Sequence, residues 1–292
     1  MRTVRTILAG VLGASVLGGV ALTADVAAQA SAASTLAACK TKIGSEVVTK
    51  GVLTIATDNP GYTPWFVNNT PSNGKGYESA VAYAIAGELG VTRTDVKWVV
   101  EPFDSSYLAG PKAFDFDVNE ISYTAARARA ITFSESYYDV QQSIVALKTD
   151  AIVKKHTPKE LKSYLYGDQI GTTGLAYINE FIKPTRPPRV YSTLDQAVLA
   201  LQTGQVDALV IDTPDGQYMA SSQIVNKNKK LIATQVGQFP STGEHYGLLF
   251  SKGDPLVGCV NAALDAMKAN GTLTALQQKW LGIYTSVPDI KP

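Results

Sequence analysis

Two short segments, far apart in the chain, share one make-up, and that repetition constrains the fold more than any other feature. Phe114-Asp115-Phe116-Asp117-Val118 runs into Asn119-Glu120-Ile121-Ser122, and Val206-Asp207-Ala208-Leu209-Val210-Ile211 runs into Asp212-Thr213-Pro214. Each reads as a short apolar strand with an Asp near its start and polar residues at its end. One unit used twice implies two lobes of similar construction. Gly51 to Thr57 is a further apolar, β-branched strand, closed by Asp58-Asn59-Pro60-Gly61. From Tyr77 to Leu89, Val81, Ala84, Ile85 and Leu89 recur at helical spacing, and Val96 to Val100 reads as the next strand. Strand, helix and strand in succession give a parallel α/β unit. Leu194 to Leu201 is the helix before the second repeat, while Ser143–Leu147 and Gln169–Thr173 read as strands between the repeats. Pro255 to Gly282 reads as two helices broken at Asn270-Gly271.

Composition narrows the function. Lys and Arg number 26 against 25 Asp and Glu, too even for a phosphate-binding surface, so nucleic acid is excluded as a partner. A hydrophobic fraction of 45% excludes a disordered chain. Two Cys and two His are too few for a Cys/His zinc cluster, and no metal or cofactor is expected. Neither a nucleophile elbow, a P-loop nor a strand-borne dinucleotide fingerprint occurs after the N-terminal segment. His156 reads as a solvated residue and His245 as a structural one.

Residues 1–32 read as a signal peptide. Arg2 and Arg5 precede an apolar run from Ile7 to Leu22, followed by Ala27-Ala28-Gln29-Ala30-Ser31-Ala32. The run is shorter than a bilayer span, and no later segment is long and apolar enough to cross one. The protein is thus expected to be exported, to the periplasm or the cell surface. In that compartment Cys39 and Cys259 form an even pair suited to a disulfide. The alternative is that Leu36-Ala37-Ala38-Cys39 is a lipobox with Cys39 acylated; reduction would raise the intact mass by two hydrogens only in the first case.

Ligands of open α/β sheets bind outside the carboxyl ends of the strands. Asp58 to Trp65, Asn119 to Arg127, Gly171 to Thr173 and Asp212 all follow expected strands. Together they supply one Arg fork and hydroxyls for an anion, carboxylates for a cation, and the flat faces of Tyr62, Trp65 and Phe103; taken singly, Arg127 fits a surface ion pair better and Trp65 and Phe103 fit plain core, so the reading rests on the set. A zwitterionic amino acid needs that set: a guanidinium for its carboxylate and an acid for its ammonium.

On these residues the sequence resembles the family 3 extracellular solute-binding proteins, the receptor components of polar amino-acid ABC importers. The resemblance is carried by Thr54–Pro60, Tyr62-Thr63-Pro64-Trp65, Asp115–Thr124 with Arg127, Phe133–Tyr138, Gly171–Ile178, Asp207–Asp212 and Gly271–Leu281. It implies an α/β, two-lobe fold of the periplasmic-binding-protein type with two hinge crossings (type II), near Asp139–Gln142 and Gln238–Pro240. Lobe 1 would hold residues 50–140 and 241–285, and lobe 2 residues 141–240. Arg127 would grip the ligand carboxylate with Ser122, Thr172 and Thr173, and Asp212 with main-chain oxygen near Asn119 would take the ammonium. Tyr62 and Phe103 would sandwich the side chain, and Asp58 would face a cationic tip. Glu120 departs from the small or amide residue of many relatives, and Gly76-Tyr77-Glu78-Ser79 departs from Gly-Phe-Asp, a change expected to concern packing. Asp58 and Glu120 tilt the pocket towards arginine, lysine, ornithine or histidine, with glutamine or another polar neutral residue as the rival. The implied protein is a monomer, not an enzyme, that delivers its ligand to a membrane permease. The alternative is a cyclohexadienyl-dehydratase-like enzyme on the same scaffold, with His245 or Glu120 as acid or base.

Overall fold

The computed structural model describes residues 34–283 and 287–291; the signal peptide expected over residues 1–32 lies outside them. Helix α1, described over residues 34–46, buries Leu36, Cys39 and Ile43, a spacing that keeps all three on one face. Strand β1 (Leu53–Thr57) is buried at every position, as befits a strand with parallel neighbours and covered faces. Helix α2 (Tyr77–Glu88) crosses over from it to β2 (Val96–Val100), and α3 (Phe103–Ser106), β3 (Phe116–Asp117), α4 (Arg127–Ala130) and β4 (Thr132–Asp139) follow. The second sheet begins with β5 (Gln142–Leu147), then α5 (Pro158–Leu161), β6 (Tyr166–Gln169), α6 (Thr173–Tyr177) and β7 (Arg189–Tyr191). It continues with α7 (Leu194–Gln202), β8 (Ala208–Asp212), α8 (Thr213–Tyr218) and β9 (Ala233–Gln238). The chain then returns to the first sheet with β10 (His245–Phe250), α9 (Leu256–Ala269) and α10 (Thr272–Leu281).

The sheets are ordered β2-β1-β3-β10-β4 and β7-β6-β8-β5-β9. In each, three parallel strands are followed by two antiparallel ones. The second sheet is the first rebuilt, with β6, β7 and β8 in the places of β1, β2 and β3. The repeated Asp residues of the sequence occupy equivalent positions before β3 and β8, and they do equivalent work. Asp115 accepts the N–H groups of Thr54 and Val48, each at 2.6 Å, tying down the start of β1. Asp207 accepts the N–H of Leu165 at 2.7 Å, just before β6. An early Asp on the third strand thus fixes the start of its parallel neighbour in both lobes.

Sequence and structure differ locally. The strand expected over Gln169–Thr173 ends at Gln169, because Gly171 turns the chain at φ 78° and the Thr172 hydroxyl caps α6 by accepting the Leu175 N–H. The apolar run Phe114–Val118 is regular strand only at Phe116 and Asp117. The C-terminal helices break at Asn270-Gly271, as the sequence indicates.

A large core lies between the first sheet and α1, α2, α9 and α10, while separate clusters cover the two faces of the second sheet. Cys39 and Cys259 are joined by a disulfide that fastens α1 to α9. Between the lobes run residues 140–141 and 239–244; Val140 N–H donates to Glu244 O of the other crossing, and Phe239 N–H donates to Gln142 O at the start of β5. Residues 287–291 lie against the second lobe. There Gln238 N–H donates to Pro288 O, Ile290 N–H donates to Gln238 O, and the Ile290 side chain enters that lobe's core. No helix among the described residues is long and apolar enough to cross a membrane.

Candidate functional site

The ends of β1 and β3 and the loop before α4 face the ends of β5, β6 and β8 across the crevice between the lobes. The lobes are in contact there. Arg127 of the first lobe donates to Gly171 O of the second at 2.9 Å, and Tyr62 donates to Asp195 at 3.0 Å. Asp58, Tyr62, Phe103, Asn119, Glu120, Ser122, Arg127, Thr172, Thr173 and Asp212 all line this one cavity. Trp65 does not line it; its ring is wholly buried in the first lobe and touches the site through its hydrogen bond to Asp215.

Arg127 is buried, and burial lowers its tendency to hold a proton. It also donates to Ser122 O at 2.7 Å, and its guanidinium carbon lies 4.7 Å from the Tyr107 ring centre and 5.3 Å from that of Phe103. Two of its five donors hold carbonyls and the rest can serve a carboxylate fork. The Asp58 carboxylate is held by the N–H groups of Asn59 and Phe103. Of the hydroxyls, Ser122 donates to Glu244 at 2.7 Å, Thr172 caps α6, and Thr173 accepts from Gln142.

The acidic side of the cavity is unusually dense. The carboxyls of Glu120, from the first lobe, and of Asp212 and Asp215, from the second, lie within 4.8 Å of one another. Glu120 adopts φ 52°, a left-handed conformation that a side chain occupies at some cost. Its N–H donates to Glu78 Oε1 at 2.7 Å, and Glu78 is also bonded by the Tyr137 hydroxyl. The Gly76-Tyr77-Glu78 departure therefore concerns more than packing, since buried Glu78 holds the backbone that presents Glu120. Burial pushes Glu78 up to about 8. Gly76 is required where it stands, because a Cβ there would sit 2.1 Å from Trp65 O.

Asp212 accepts from the Tyr246 hydroxyl at 2.5 Å and from Gln142 Nε2. Burial, then the neighbouring Glu244 and Asp215 charges, raises it well above the usual carboxylate range. Asp215 is fully buried, and its oxygens accept the Trp65 indole N–H at 2.9 and 3.0 Å. Burial lifts it to about 6, against the downward pull of hydrogen bonds from Glu120 and Trp65. Glu120 rises well above its ordinary value through burial and the charges of Asp215 and Glu78. Three such carboxyls in one wall suit a nitrogen cation, whose N–H groups they can meet together. Buried polar atoms complete the wall: Asn119 Nδ2, Gln142 Oε1 and Asp168 Oδ2 have no hydrogen-bond partner among the described residues.

Sequence reasoning missed Gln142, Asp168 and Asp215. Asp212 ends β8 and Asp215 lies in the first turn of α8, where an Asp reads as an ordinary helix-start acid, so no local signal marks it as part of the site. His245 lies outside this cavity; its ring stacks on Tyr123 and its Nδ1 is 2.9 Å from Gly243 O.

The sequence model of the bacterial extracellular solute-binding proteins, family 3, matches residues 53–283. The chain is 27% identical over 238 residues to the L-arginine-binding protein of Pseudomonas aeruginosa, covering 78% of this chain and 90% of that one. It is 26% identical over 238 residues to the arginine-binding periplasmic protein of Mannheimia haemolytica, covering 81% and 94%. Among solved structures, an ancestral arginine-binding protein bound to glutamine is similar at a TM-score of 0.66 and 26% identity, over 80% of this chain and 99% of that one.

Proposed function

This chain belongs to the bacterial extracellular solute-binding proteins of family 3, and on that premise we propose that it is the exported receptor of an amino-acid ABC importer. Its ligand is an L-amino acid with a cationic side chain, closed between the two lobes and handed to a membrane permease by a monomeric protein without catalysis. One observation carries the ligand class. Among the described residues, Asp58, Glu120, Asp168, Asp212 and Asp215 share the cavity wall with a single basic residue, Arg127. Once the ligand carboxylate meets Arg127, one ammonium leaves most of that acidity unanswered; a second cation answers more of it. The arginine-binding names of both sequence relatives support the same class.

Arg127 holds the carboxylate, with Ser122, Thr172 and Thr173 around it. Asp212 takes the ammonium together with main-chain oxygen near Asn119. Tyr62 and Phe103 flank the side chain, whose tip runs towards Asp58. Closure excludes water, so each charge-assisted bond acts in a low dielectric. A dehydratase on this scaffold would need a cleft acid or base; Glu120 lines the cavity whereas His245 does not.

A thermal-shift screen of the exported protein against all common amino acids and ornithine tests the proposal, since a bound ligand stabilises by RT ln(1 + [L]/Kd). Arginine, lysine or ornithine should give the largest shift. A largest shift with glutamine or another neutral amino acid overturns the cationic assignment, and no shift with any amino acid overturns the receptor reading. Formation of a phenyl product from arogenate or prephenate would overturn the absence of catalysis.

A further inference from the structure

We propose that Trp65 and Asp215 form the latch that holds the lobes closed, with Trp65 a positioning residue that acts through Asp215 and not on the ligand. The inference rests on the reading above, in which closure captures an amino acid.

The indole belongs wholly to the first lobe. It is fully buried and packs edge-on against Tyr77 at 6.0 Å and against Tyr138 and Tyr246 at 5.5 Å, side chains of α2, β4 and β10. These rings fix its orientation, and the Trp65 backbone is fixed by α2, whose Ser79 N–H donates to Trp65 O. The only polar side-chain atom of the residue, Nε1, is aimed out of this aromatic box at Asp215 of the second lobe.

Asp215 is buried too, at the first turn of α8. When the lobes part, its carboxyl loses the indole donor, and a hydrogen bond to a charged, buried acceptor is among the stronger kinds. One other cross-lobe bond is of the same kind, from the buried Tyr246 hydroxyl to Asp212; the contacts of Arg127 and Tyr62 differ. Arg127 and Tyr62 line the ligand cavity, and the Tyr62–Asp195 bond is exposed to solvent. Trp65 lines no part of that cavity, so its contribution to affinity passes through Asp215 and through closure, not through contact with the ligand. A residue of this kind slows ligand escape and does not speed ligand arrival.

Trp65→Phe keeps the aromatic packing and removes the N–H. With arginine as probe in stopped-flow binding, the dissociation rate should rise about tenfold and the association rate should not fall, a change matching the loss of one buried charge-assisted bond. The unliganded melting temperature of Trp65→Phe should stay near wild type, since the lobe core is retained. An unchanged dissociation rate in Trp65→Phe, or a fall in the association rate alone, overturns the latch. Small-angle scattering of ligand-free protein gives a readout independent of arginine: Trp65→Phe must be more extended than wild type, and equal dimensions overturn the latch. If wild type binds no amino acid while that difference in dimensions holds, the receptor reading fails and the latch stands.

Discussion

Replacing Arg127 by Ala separates gripping a carboxylate from bridging the lobes, because the guanidinium is placed to do both. Its donors reach Ser122 O at 2.7 Å and Gly171 O at 2.9 Å, and the rest of the fork is free for the ligand. Without it, a ligand carboxylate would sit in a cavity whose charged residues are all acidic. Truncating one partner of a buried charge pair costs about 2–5 kcal/mol, and the acidic surroundings place this case towards the upper end. A loss of about 3–5 kcal/mol corresponds to roughly 200- to 4,000-fold in Kd. Isothermal titration with arginine reads that loss directly. Agmatine, which has the same guanidinium and amine but no carboxylate, isolates its origin: its affinity should change by no more than about threefold. If Arg127→Ala weakens agmatine as much as arginine, the residue acts by joining the lobes through Gly171, and the carboxylate assignment is wrong. Arg127→Lys, which keeps the charge but not the fork, should fall between wild type and Ala.

Closure should also depend on pH. Burial lifts Asp215 from 3.8 to about 6 and raises Glu120 and Asp212 well above their ordinary values; a pKa raised in the closed form favours that form below about pH 4, and the advantage is lost as pH rises through about 6. Ligand-free protein should therefore be more compact by small-angle scattering at about pH 5 than at about pH 8, and the reverse order would contradict the cross-lobe carboxyl cluster. The repeated Asp residues should differ in weight. Asp115→Ala leaves two backbone donors without their acceptor and should cost about 2–4 kcal/mol in urea unfolding, whereas Asp207→Ala, with one such donor and an exposed Arg186 partner, should cost about 1–2. Cys39→Ser with Cys259→Ser opens a link spanning 220 residues and should destabilise by about 2–4 kcal/mol, read as a lower melting temperature than that of the unreduced parent.

Period and punctuation made the framework legible. The apolar runs behind β1, β2 and β8 and the helical spacing of α2 and α7 are local signals, and the repeated Asp-bearing strand announced that two sheets share one plan. Strand ends then pointed to Asp58, Glu120, Arg127 and Asp212 because ligands of such sheets collect there. Features that depend on two lobes meeting left no local trace. Asp215 looks like an ordinary first-turn acid until the indole of Trp65, 150 residues away in sequence, is placed opposite it. From the sequence Trp65 reads either as a flat face for a ligand or as plain core, because the edge-on contacts that bury it come from Tyr77, Tyr138 and Tyr246, each on a different element. The left-handed backbone of Glu120 is equally invisible in the sequence, which gives only the residue type and not the Glu78 carboxyl that holds its N–H.

The course of the last described residues makes the molecule suitable for optical readout. Helix α1 is fastened to the first lobe by Cys39 and Cys259, while residues 287–291 are hydrogen-bonded to the edge of the second sheet. Lys42 and Lys291, both exposed, thus ride on different bodies. A donor dye on one and an acceptor on the other would change their energy transfer as the lobes swing, with neither dye in the cleft. The chain thereby offers a sensor geometry in which attachment points near its two described ends report the state of its middle.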